Sequence, residues 1–255
     1  METRVAWIVG GVKGLGVQVA RALAEDGFRI VLNYRKSVEA GHKWKERIEK
    51  IHGECLLLQG DVADGEDVRR MANEVMSAWG RVDVLVCAAG PFTFRPKRLT
   101  EFDDDTWREM VDGNLSGVFR LIREVVPGMR ERRFGRIITF GYAEVEQMGG
   151  WEGYGPYAAA KTGLLSLTRT LAREEAPHGI TVNMVVPGDI RDPFKEAQIA
   201  DVRGHTDPRT PAGRPGTGED IARVVRFLAH PDSDLITGAV IPVTGGFTHW
   251  LYHVK

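Results

Sequence analysis

Short runs of hydrophobic residues alternate along the chain with longer amphipathic stretches. Short continuous runs indicate strands buried on both sides, whereas hydrophobic positions that repeat about every 3.6 residues indicate helices. The predicted strands are Val5–Val9, Ile30–Leu32, Cys55–Leu58, Val82–Ala88, Arg136–Phe140, Ile180–Val186 and Ala239–Val243. The predicted helices are Leu15–Glu25, Val38–Ile51, Glu66–Trp79, Trp107–Arg130, Tyr157–Glu175 and Glu219–Ala229.

This alternation of strands and helices predicts the fold class. Buried strands joined by helices form a parallel sheet with helices on both faces, and right-handed crossovers wind it in both directions. We therefore expect an α/β, Rossmann-type, doubly wound parallel sheet of about seven strands. No repeat, linker or low-complexity tract interrupts the pattern, so residues 1–255 are expected to form a single domain.

A glycine-rich segment joins the first predicted strand to the first predicted helix. It covers Gly10–Gly16 and has the spacing GxxxGxG. Glycines allow a tight turn and a close approach to a pyrophosphate, and the free N–H groups of the helix N-terminus favour an anion. The segment predicts a dinucleotide site, the alternative being a turn without a ligand. Its predicted cofactor-binding residues are Gly10, Lys13, Gly14, Leu15 and Gly16.

The residues after the second strand bear on the choice of cofactor. Enzymes specific for NAD usually carry an acid here, which binds the ribose 2′-hydroxyl and would repel a 2′-phosphate. This chain instead has Arg35 and Lys36, and Lys13 could approach from the glycine-rich segment. We expect NADP(H) to be preferred, with NAD(H) possible. The alternative is that these cations are solvated loop charges.

Tyr157 and Lys161 are four residues apart and so share one face of a predicted helix. A phenol ordinarily has a pKa of about 10, too high for ready proton exchange near neutrality. A cation at ~4 Å would lower the pKa of Tyr157 toward about 8. The pair predicts an acid–base site, and a surface helix contact is the alternative.

Further motifs follow in order: Asp61-Val62, Ala88-Ala89-Gly90, Asn114, Pro187-Gly188, Thr237-Gly238 and Gly245-Gly246. With the GxxxGxG and YxxxK motifs, this series resembles the short-chain dehydrogenase/reductase family over essentially the whole chain. Its pattern is most similar to that of the 3-oxoacyl-carrier-protein reductases.

The resemblance implies a role for each matching residue. Tyr157 would protonate a carbonyl oxygen, Lys161 would also bind the nicotinamide ribose, and Asn114 would hold a water in a proton relay. Tyr157 and Lys161 therefore count as cofactor contacts as well as catalytic residues. The other implied cofactor contacts are Asp61, Val62, Ala88, Ala89, Gly90, Pro187, Gly188 and Ile190.

The chain departs from the family pattern where a substrate-orienting serine is expected. Tyr142 occupies that position, and its hydroxyl lies a whole ring further out than a serine hydroxyl. Tyr142 is either a substitute donor in the catalytic set or a packing residue. Asp192 stands where a threonine usually contacts the nicotinamide amide. Val9 and Cys87 replace a polar pair on strands that should be neighbours.

These observations predict an NADPH-dependent reductase of a carbonyl substrate, either a 3-oxoacyl thioester or another ketone. The alternative is a redox-impaired NADP(H)-binding protein that acts as a sensor or interaction module. An apolar slot for the substrate is predicted from residues in three variable segments. They are Phe92, Phe94, Met148, Trp151 and Phe194.

Composition and charge narrow the range of partners. The formal net charge is −1, so we expect no nucleic acid partner. Cys55 and Cys87 form no CxxC pair, and the apolar run Val5–Val9 is too short for a signal segment or membrane span. We therefore expect a cytoplasmic protein without a membrane partner or a metal site. The family resemblance implies a homotetramer or a dimer.

Overall fold

The computed structural model describes residues 3–93, 95–147 and 150–247 of the 255-residue chain. Its seven strands all pair in parallel in one sheet, in the order β3-β2-β1-β4-β5-β6-β7. This is the doubly wound Rossmann-type sheet that the sequence predicts. The strands are β1 Val5–Val9, β2 Arg29–Tyr34, β3 Cys55–Gln59, β4 Val84–Cys87, β5 Gly135–Phe140, β6 Ile180–Pro187 and β7 Val240–Val243.

Helices cover both faces of the sheet. Successive side chains of a strand point to opposite faces, so Trp7 joins one hydrophobic cluster and Ile8 the other. The cluster around Trp7 includes residues of α3, α5 and α6, and the cluster around Ile8 includes residues of α1, α2 and α7. The helices are α1 Leu15–Glu25, α2 Val38–His52, α3 Gly65–Trp79, α4 Asp104–Val111, α5 Gly117–Arg132, α6 Gly155–Glu175 and α7 Gly218–Ala229.

The predicted single helix Trp107–Arg130 is wrong in one respect. The structure divides it into α4 and α5, with a π-helical turn at Asp112–Ser116 between them. The Asn114 amide enters the helical hydrogen-bond ladder, because its Nδ2 donates to the Met110 carbonyl oxygen at 3.0 Å. The turn widens the helix where Asn114 is buried. In the described part of the chain, no helix is long and apolar enough to cross a membrane.

Residues at the ends of the helices and strands make the local contacts that the sequence predicts. The Asp64 carboxylate accepts hydrogen bonds from the Glu66 and Asp67 amides and begins α3, and Gly80 ends it in the left-handed conformation. Val9 of β1 lies beside Cys87 of β4, as expected for neighbouring strands. These two strands form the switch point of the sheet, where the strand order reverses and where such folds bind ligands.

Candidate active site and cofactor site

Every motif that the sequence analysis assigns to the site follows the carboxyl end of a strand or lies on a helix beside that edge. Because the strands are parallel, their carboxyl ends share one edge of the sheet. The segments that follow the strands there are Gly10–Gly16 after β1, Arg35 and Lys36 after β2, Asp61 and Val62 after β3, Ala88–Gly90 after β4, Tyr142 after β5, and Gly188–Ile190 after β6.

The glycine-rich segment has no room for side chains at two of its positions. Gly10 has a φ of 79°, and a Cβ there would lie 2.8 Å from the backbone nitrogen of Ala89. A Cβ on Gly16 would lie 2.4 Å from the carbonyl oxygen of Gly10. The glycines therefore bring the β1 and β4 loops into backbone contact beside the first turn of α1, which Leu15 begins. This is the tight cradle that a pyrophosphate group requires.

A carboxylate already lies at this cradle. The Gly14 amide donates a hydrogen bond to Glu196 Oε1 at 3.0 Å. The Gln18 side chain donates to the Glu196 backbone oxygen at 2.6 Å, which fixes the segment over α1. A carboxylate is a chemical stand-in for a phosphate oxygen, so the contact shows that the cradle accepts an anion. Sequence reasoning missed Glu196, since 182 residues separate it from Gly14.

The cations predicted to select the cofactor lie at the ends of β2 and β1. Arg35 and Lys36 are exposed, and so is Lys13. Arg35 Nη1 lies 3.2 Å from Asp61 Oδ2, which joins the β2 and β3 ends. Val62 is buried beside them. The structure thus places these residues along one continuous edge that leads away from the glycine-rich segment.

Asn114 and Lys161 meet beneath the β4 loop. A Cβ on Gly90 would lie 2.2 Å from Asn114 Oδ1 and 3.6 Å from Lys161 Nζ. The Asn114 Nδ2 donates to Pro91 O at 2.9 Å, and this bond orients the amide. Its Oδ1 is buried and accepts no hydrogen bond from any residue that the structure describes. An unsatisfied buried acceptor marks a position for a water or ligand hydroxyl.

Lys161 is a buried cation. Its side chain is 5% exposed, and no carboxylate lies in salt-bridge range of its ammonium among residues 3–93, 95–147 and 150–247. Burial lowers the pKa of Lys161 to about 8, and the nearby Cys87 opposes this effect. The ammonium lies 5.7 Å from the ring centre of Tyr157, so α6 brings the predicted pair together.

The expected lowering of the Tyr157 pKa is wrong. Burial raises the pKa of Tyr157 above its ordinary value, and the neighbouring Tyr142 adds to the increase. Lys161 does not offset the loss of solvent. The Tyr157 hydroxyl therefore stays protonated over the physiological pH range.

Five aromatic rings, called here the aromatic cluster, converge on this point. Tyr142 is 5% exposed, and its ring centre lies 6.1 Å from that of Tyr157. Of the predicted slot residues, Phe92 and Trp151 belong to the cluster, while Phe94 and Met148 lie outside the described residues. The members of the aromatic cluster are Phe92, Tyr142, Trp151, Tyr154 and Tyr157.

The segment after β6 lies over the cofactor cradle rather than over the aromatic cluster. Pro187 ends β6, Gly188 contacts the Thr244 backbone so closely that a Cβ would lie 2.8 Å from it, and Ile190 is buried. Asp192 pairs with Lys195 at 3.5 Å. Phe194, predicted in the slot, packs instead against the hydrophobic cluster of α1 and α7, so that prediction is wrong for the structure as it stands.

The residues present fit a nicotinamide dinucleotide. The cradle leaves no room for a Cβ at Gly10 or Gly16 and holds the Glu196 carboxylate. Among the residues that the structure describes, a cation without a carboxylate partner and an acceptor without a donor lie at the end of β4. Together with the doubly wound sheet, these features define a dinucleotide-dependent oxidoreductase. Comparison with known proteins narrows the class further.

The family model described as "Enoyl-(Acyl carrier protein) reductase" matches residues 10–248. The chain is 46% identical over 244 residues to the "Putative oxidoreductase YtkK" of Bacillus subtilis, covering 95% of this chain and 96% of that protein. It is 38% identical over 241 residues to the 3-oxoacyl-[acyl-carrier-protein] reductase FabG of Staphylococcus epidermidis, covering 94% and 97%.

A solved structure has the same fold. The "putative 3-oxoacyl-reductase" from Bacillus thuringiensis superposes with a TM-score of 0.91 at 43% identity, covering 97% of this chain and 99% of that one. The chain therefore belongs to the short-chain dehydrogenase/reductase family. It is an NAD(P)-dependent oxidoreductase.

Proposed function

We propose that the protein is an NADPH-dependent reductase of a ketone or a 3-oxoacyl thioester, with Tyr157 as the general acid. The observation that carries the proposal is the burial of Lys161 beneath Tyr157 without a carboxylate partner among the described residues. Burying an unpaired charge is costly, so a fold that keeps one there needs it for a ligand.

The neighbours of Lys161 suggest what that ligand is. Its ammonium lies beside Gly90, where the backbone of the β4 loop is exposed, and beside the unsatisfied Asn114 Oδ1. A lysine offers three donors, which suit the hydroxyls of a nicotinamide ribose and a bound water. This arrangement supports the roles that the family resemblance implies for Lys161 and Asn114.

The proton chemistry follows from the state of Tyr157. Bound NADPH supplies a hydride to the carbonyl carbon. Burial keeps the Tyr157 hydroxyl protonated, so it can donate its proton to the carbonyl oxygen. Lys161 then stabilises the tyrosinate, and Asn114 Oδ1 orients a water through which Lys161 exchanges protons with solvent. These residues together would deliver the proton that reduction of a carbonyl requires.

Tyr142 takes the place of the missing serine in this proposal. Its ring centre lies 6.1 Å from that of Tyr157, which supports a position for its hydroxyl near the same substrate. Loss of one oxyanion donor typically costs on the order of 10²–10³ in rate. We propose that Tyr142 supplies the second donor to the carbonyl oxygen and limits that cost.

The preference for NADPH rests on charge. Arg35 and Lys36 follow β2 without an acid before Glu39, and Lys13 lies exposed on the glycine-rich segment. Arginine binds phosphate through a fork of two N–H groups. An ion pair of 3.2 Å with Asp61 holds Arg35 beside the ends of β2 and β3, where we expect the adenosine ribose to bind. These cations support binding of a 2′-phosphate.

The substrate class and setting are proposed from the relatives. FabG of S. epidermidis is named for a 3-oxoacyl carrier substrate, and a 35% identical relative from Allochromatium vinosum is named acetoacetyl-CoA reductase. Both names indicate ketones carried as acyl thioesters. Cys55 and Cys87 are free and buried, which fits a reducing compartment such as the cytoplasm.

Fluorescence titration with NADPH and NADH tests the cofactor, and oxidation of bound NADPH on adding ketones and acetoacetyl thioesters tests the chemistry. We expect tighter binding of NADPH and substrate-dependent oxidation. Tyr157→Phe should reduce kcat at least about 10²-fold and leave NADPH binding within a few-fold.

The outcomes separate the two functions. Tight NADPH binding without oxidation of any carbonyl compound would favour a sensor or interaction module in place of an enzyme. If neither cofactor bound, the proposal would fail altogether. If Tyr157→Phe kept full activity, the reductase would stand with a different proton donor.

A further inference from the structure

We propose that the site selects flat, conjugated or aromatic ketones and diketones over linear 3-oxoacyl thioesters. The inference rests on the proposed function, because it names the substrate class of the same site. The aromatic cluster is its structural basis. Its five rings come from the segment after β4, the segment after β5 and the start of α6.

The aromatic cluster surrounds the proton donor. The Phe92 ring meets Tyr157 edge-on with centroids 4.9 Å apart, and the Trp151 ring meets it at 70° and 6.0 Å. Tyr142 closes the third side. We infer that a carbonyl oxygen that binds the Tyr157 hydroxyl brings its attached groups against these neighbouring rings. The aromatic rings therefore contact the groups next to the carbonyl and determine which of these groups bind well.

The rings of the aromatic cluster also pack on one another. A ligand that replaces their mutual contacts with equivalent ones therefore enters the cluster at the lowest cost. Phe92 and Tyr154 are stacked at 5.3 Å with an interplanar angle of 16°, and Trp151 lies 4.6 Å from Tyr154. A substrate must replace some of these contacts. A flat conjugated ligand offers new ring contacts in exchange, whereas a flexible acyl chain offers none and loses more conformational freedom.

The walls of the cluster differ in how freely they can move. Phe92, Trp151, Tyr154 and Tyr157 remain partly exposed, so the cluster opens toward solvent. Tyr142 is almost fully buried and packs with the hydrophobic core. A rigid ring at the position where the family pattern has serine narrows the site on one side. A ligand that enters between these packed rings, beside a wall that cannot move, is expected to be thin and planar.

Two substrates that differ in the planarity of one ring test whether the site prefers a flat ligand. We would measure NADPH oxidation with 1-phenyl-1,2-propanedione and 1-cyclohexyl-1,2-propanedione, which share the reacting groups and differ in the planarity of the ring. S-acetoacetyl-N-acetylcysteamine represents the linear thioesters. We expect kcat/KM to be at least about tenfold higher for the phenyl compound than for either of the others.

The phenyl and cyclohexyl compounds also differ in intrinsic reactivity. Comparing their ratio of kcat/KM between protein variants cancels this difference. Trp151→Leu deletes one wall of the cluster and should reduce the phenyl-to-cyclohexyl ratio of kcat/KM by about tenfold. Trp44→Leu is the matched control, because Trp44 lies on α2 against the opposite face of the sheet, where Arg47 stacks on it. Its ratio should equal that of the unaltered protein. Phe92→Leu provides a second test should Trp151→Leu fail to fold.

Each outcome of these measurements either supports or overturns the proposed preference for flat substrates. A ratio that falls in Trp151→Leu or Phe92→Leu but not in Trp44→Leu supports it. A ratio that no variant changes, or a higher kcat/KM for the acetoacetyl thioester, overturns the inference and leaves the proposed reductase intact. Absence of NADPH oxidation with all three compounds overturns the proposed function, and the inference falls with it.

Discussion

Lys161 keeps its charge in the interior at a cost that depends on pH. Burial lowers the pKa of Lys161 from its ordinary value of 10.5 to about 8, so the folded protein loses this proton before the unfolded chain does. Between those pH values the unfolded chain binds more protons, and the free energy of unfolding therefore rises with pH. Below pH 8 both states are protonated and the full cost remains.

Lys161→Met should remove this dependence. Without cofactor, we expect the variant to be more stable than the unaltered protein by about 3 kcal/mol at pH 7, with the difference vanishing near pH 10.5. Urea unfolding of both proteins at several pH values would measure it, and other titrating groups cancel in the difference. A stability difference that stayed constant from pH 7 to 10 would contradict the buried, charged state of Lys161.

At the level of elements, the 3₁₀ segment Phe194–Glu196 bears on the predicted cofactor site at the N-terminus of α1. The Glu196 carboxylate accepts the Gly14 N–H at 3.0 Å, and free N–H groups at a helix N-terminus are the donors that a pyrophosphate uses. We therefore expect Glu196 to compete with the cofactor for the Gly14 N–H.

Glu196→Gln should tighten NADPH binding, because an amide keeps the size of the side chain but gives up the charge that the helix dipole attracts. We expect a dissociation constant about two- to fivefold lower. Glu131→Gln, an exposed change near the end of α5, serves as the control. Fluorescence titration decides the matter: equal affinities in all three proteins would show that Glu196 does not obstruct the cofactor.

Local sequence predicts the elements well where the signal is local. Hydrophobic runs located all seven strands, and Asp64 and Gly80 marked the ends of α3. The π-helical turn at Asp112–Ser116 escaped prediction because its side chains continue the helical pattern. The turn widens the helix where the Asn114 amide bonds to Pro91 and Met110, and the contact with Pro91 is a tertiary one.

The residues of the candidate site likewise fall into those that the sequence could predict and those that it could not. Glycines, Tyr157 and Lys161 act through short spacings and could be found from the sequence. Glu196 could not, because its segment lacks periodicity and meets Gly14 only after the whole sheet has formed. The raised pKa of Tyr157 could not be predicted from the sequence either, because it depends on how the folded chain buries this side chain.

On the scale of the whole molecule, large apolar side chains remain exposed on several elements of the described chain. Trp107 and Phe119 project from α4 and α5 on one side of the sheet. Phe227 projects from α7 on the other, and Leu235, in the segment between α7 and β7, is 93% exposed. The tetramer with two-fold axes that the family resemblance implies needs two separate contact surfaces. We expect one surface to include Phe119 and the other to include Phe227.

We therefore expect light scattering to give the mass of four chains. Phe119→Asp and Phe227→Asp should each yield a dimer, because each places a charge in one of the two interfaces and leaves the other intact. Ile51→Asp, which also charges an exposed apolar position but lies near the end of α2, should remain tetrameric. A monomer for the unaltered protein at micromolar concentration would refute the assembly.

If the cofactor binds at Gly14 as we expect, the bond between Glu196 and Gly14 acts as a competitive inhibitor that the chain itself carries. A tethered competitor has an effective concentration set by the length of its segment, commonly in the millimolar range, and dilution does not weaken it. The protein would thus discriminate against ligands that have only one phosphate to offer, since these gain little over the resident carboxylate. We expect a ligand that also contacts Lys161 and Arg35, such as a whole dinucleotide, to have enough additional contacts to displace the carboxylate.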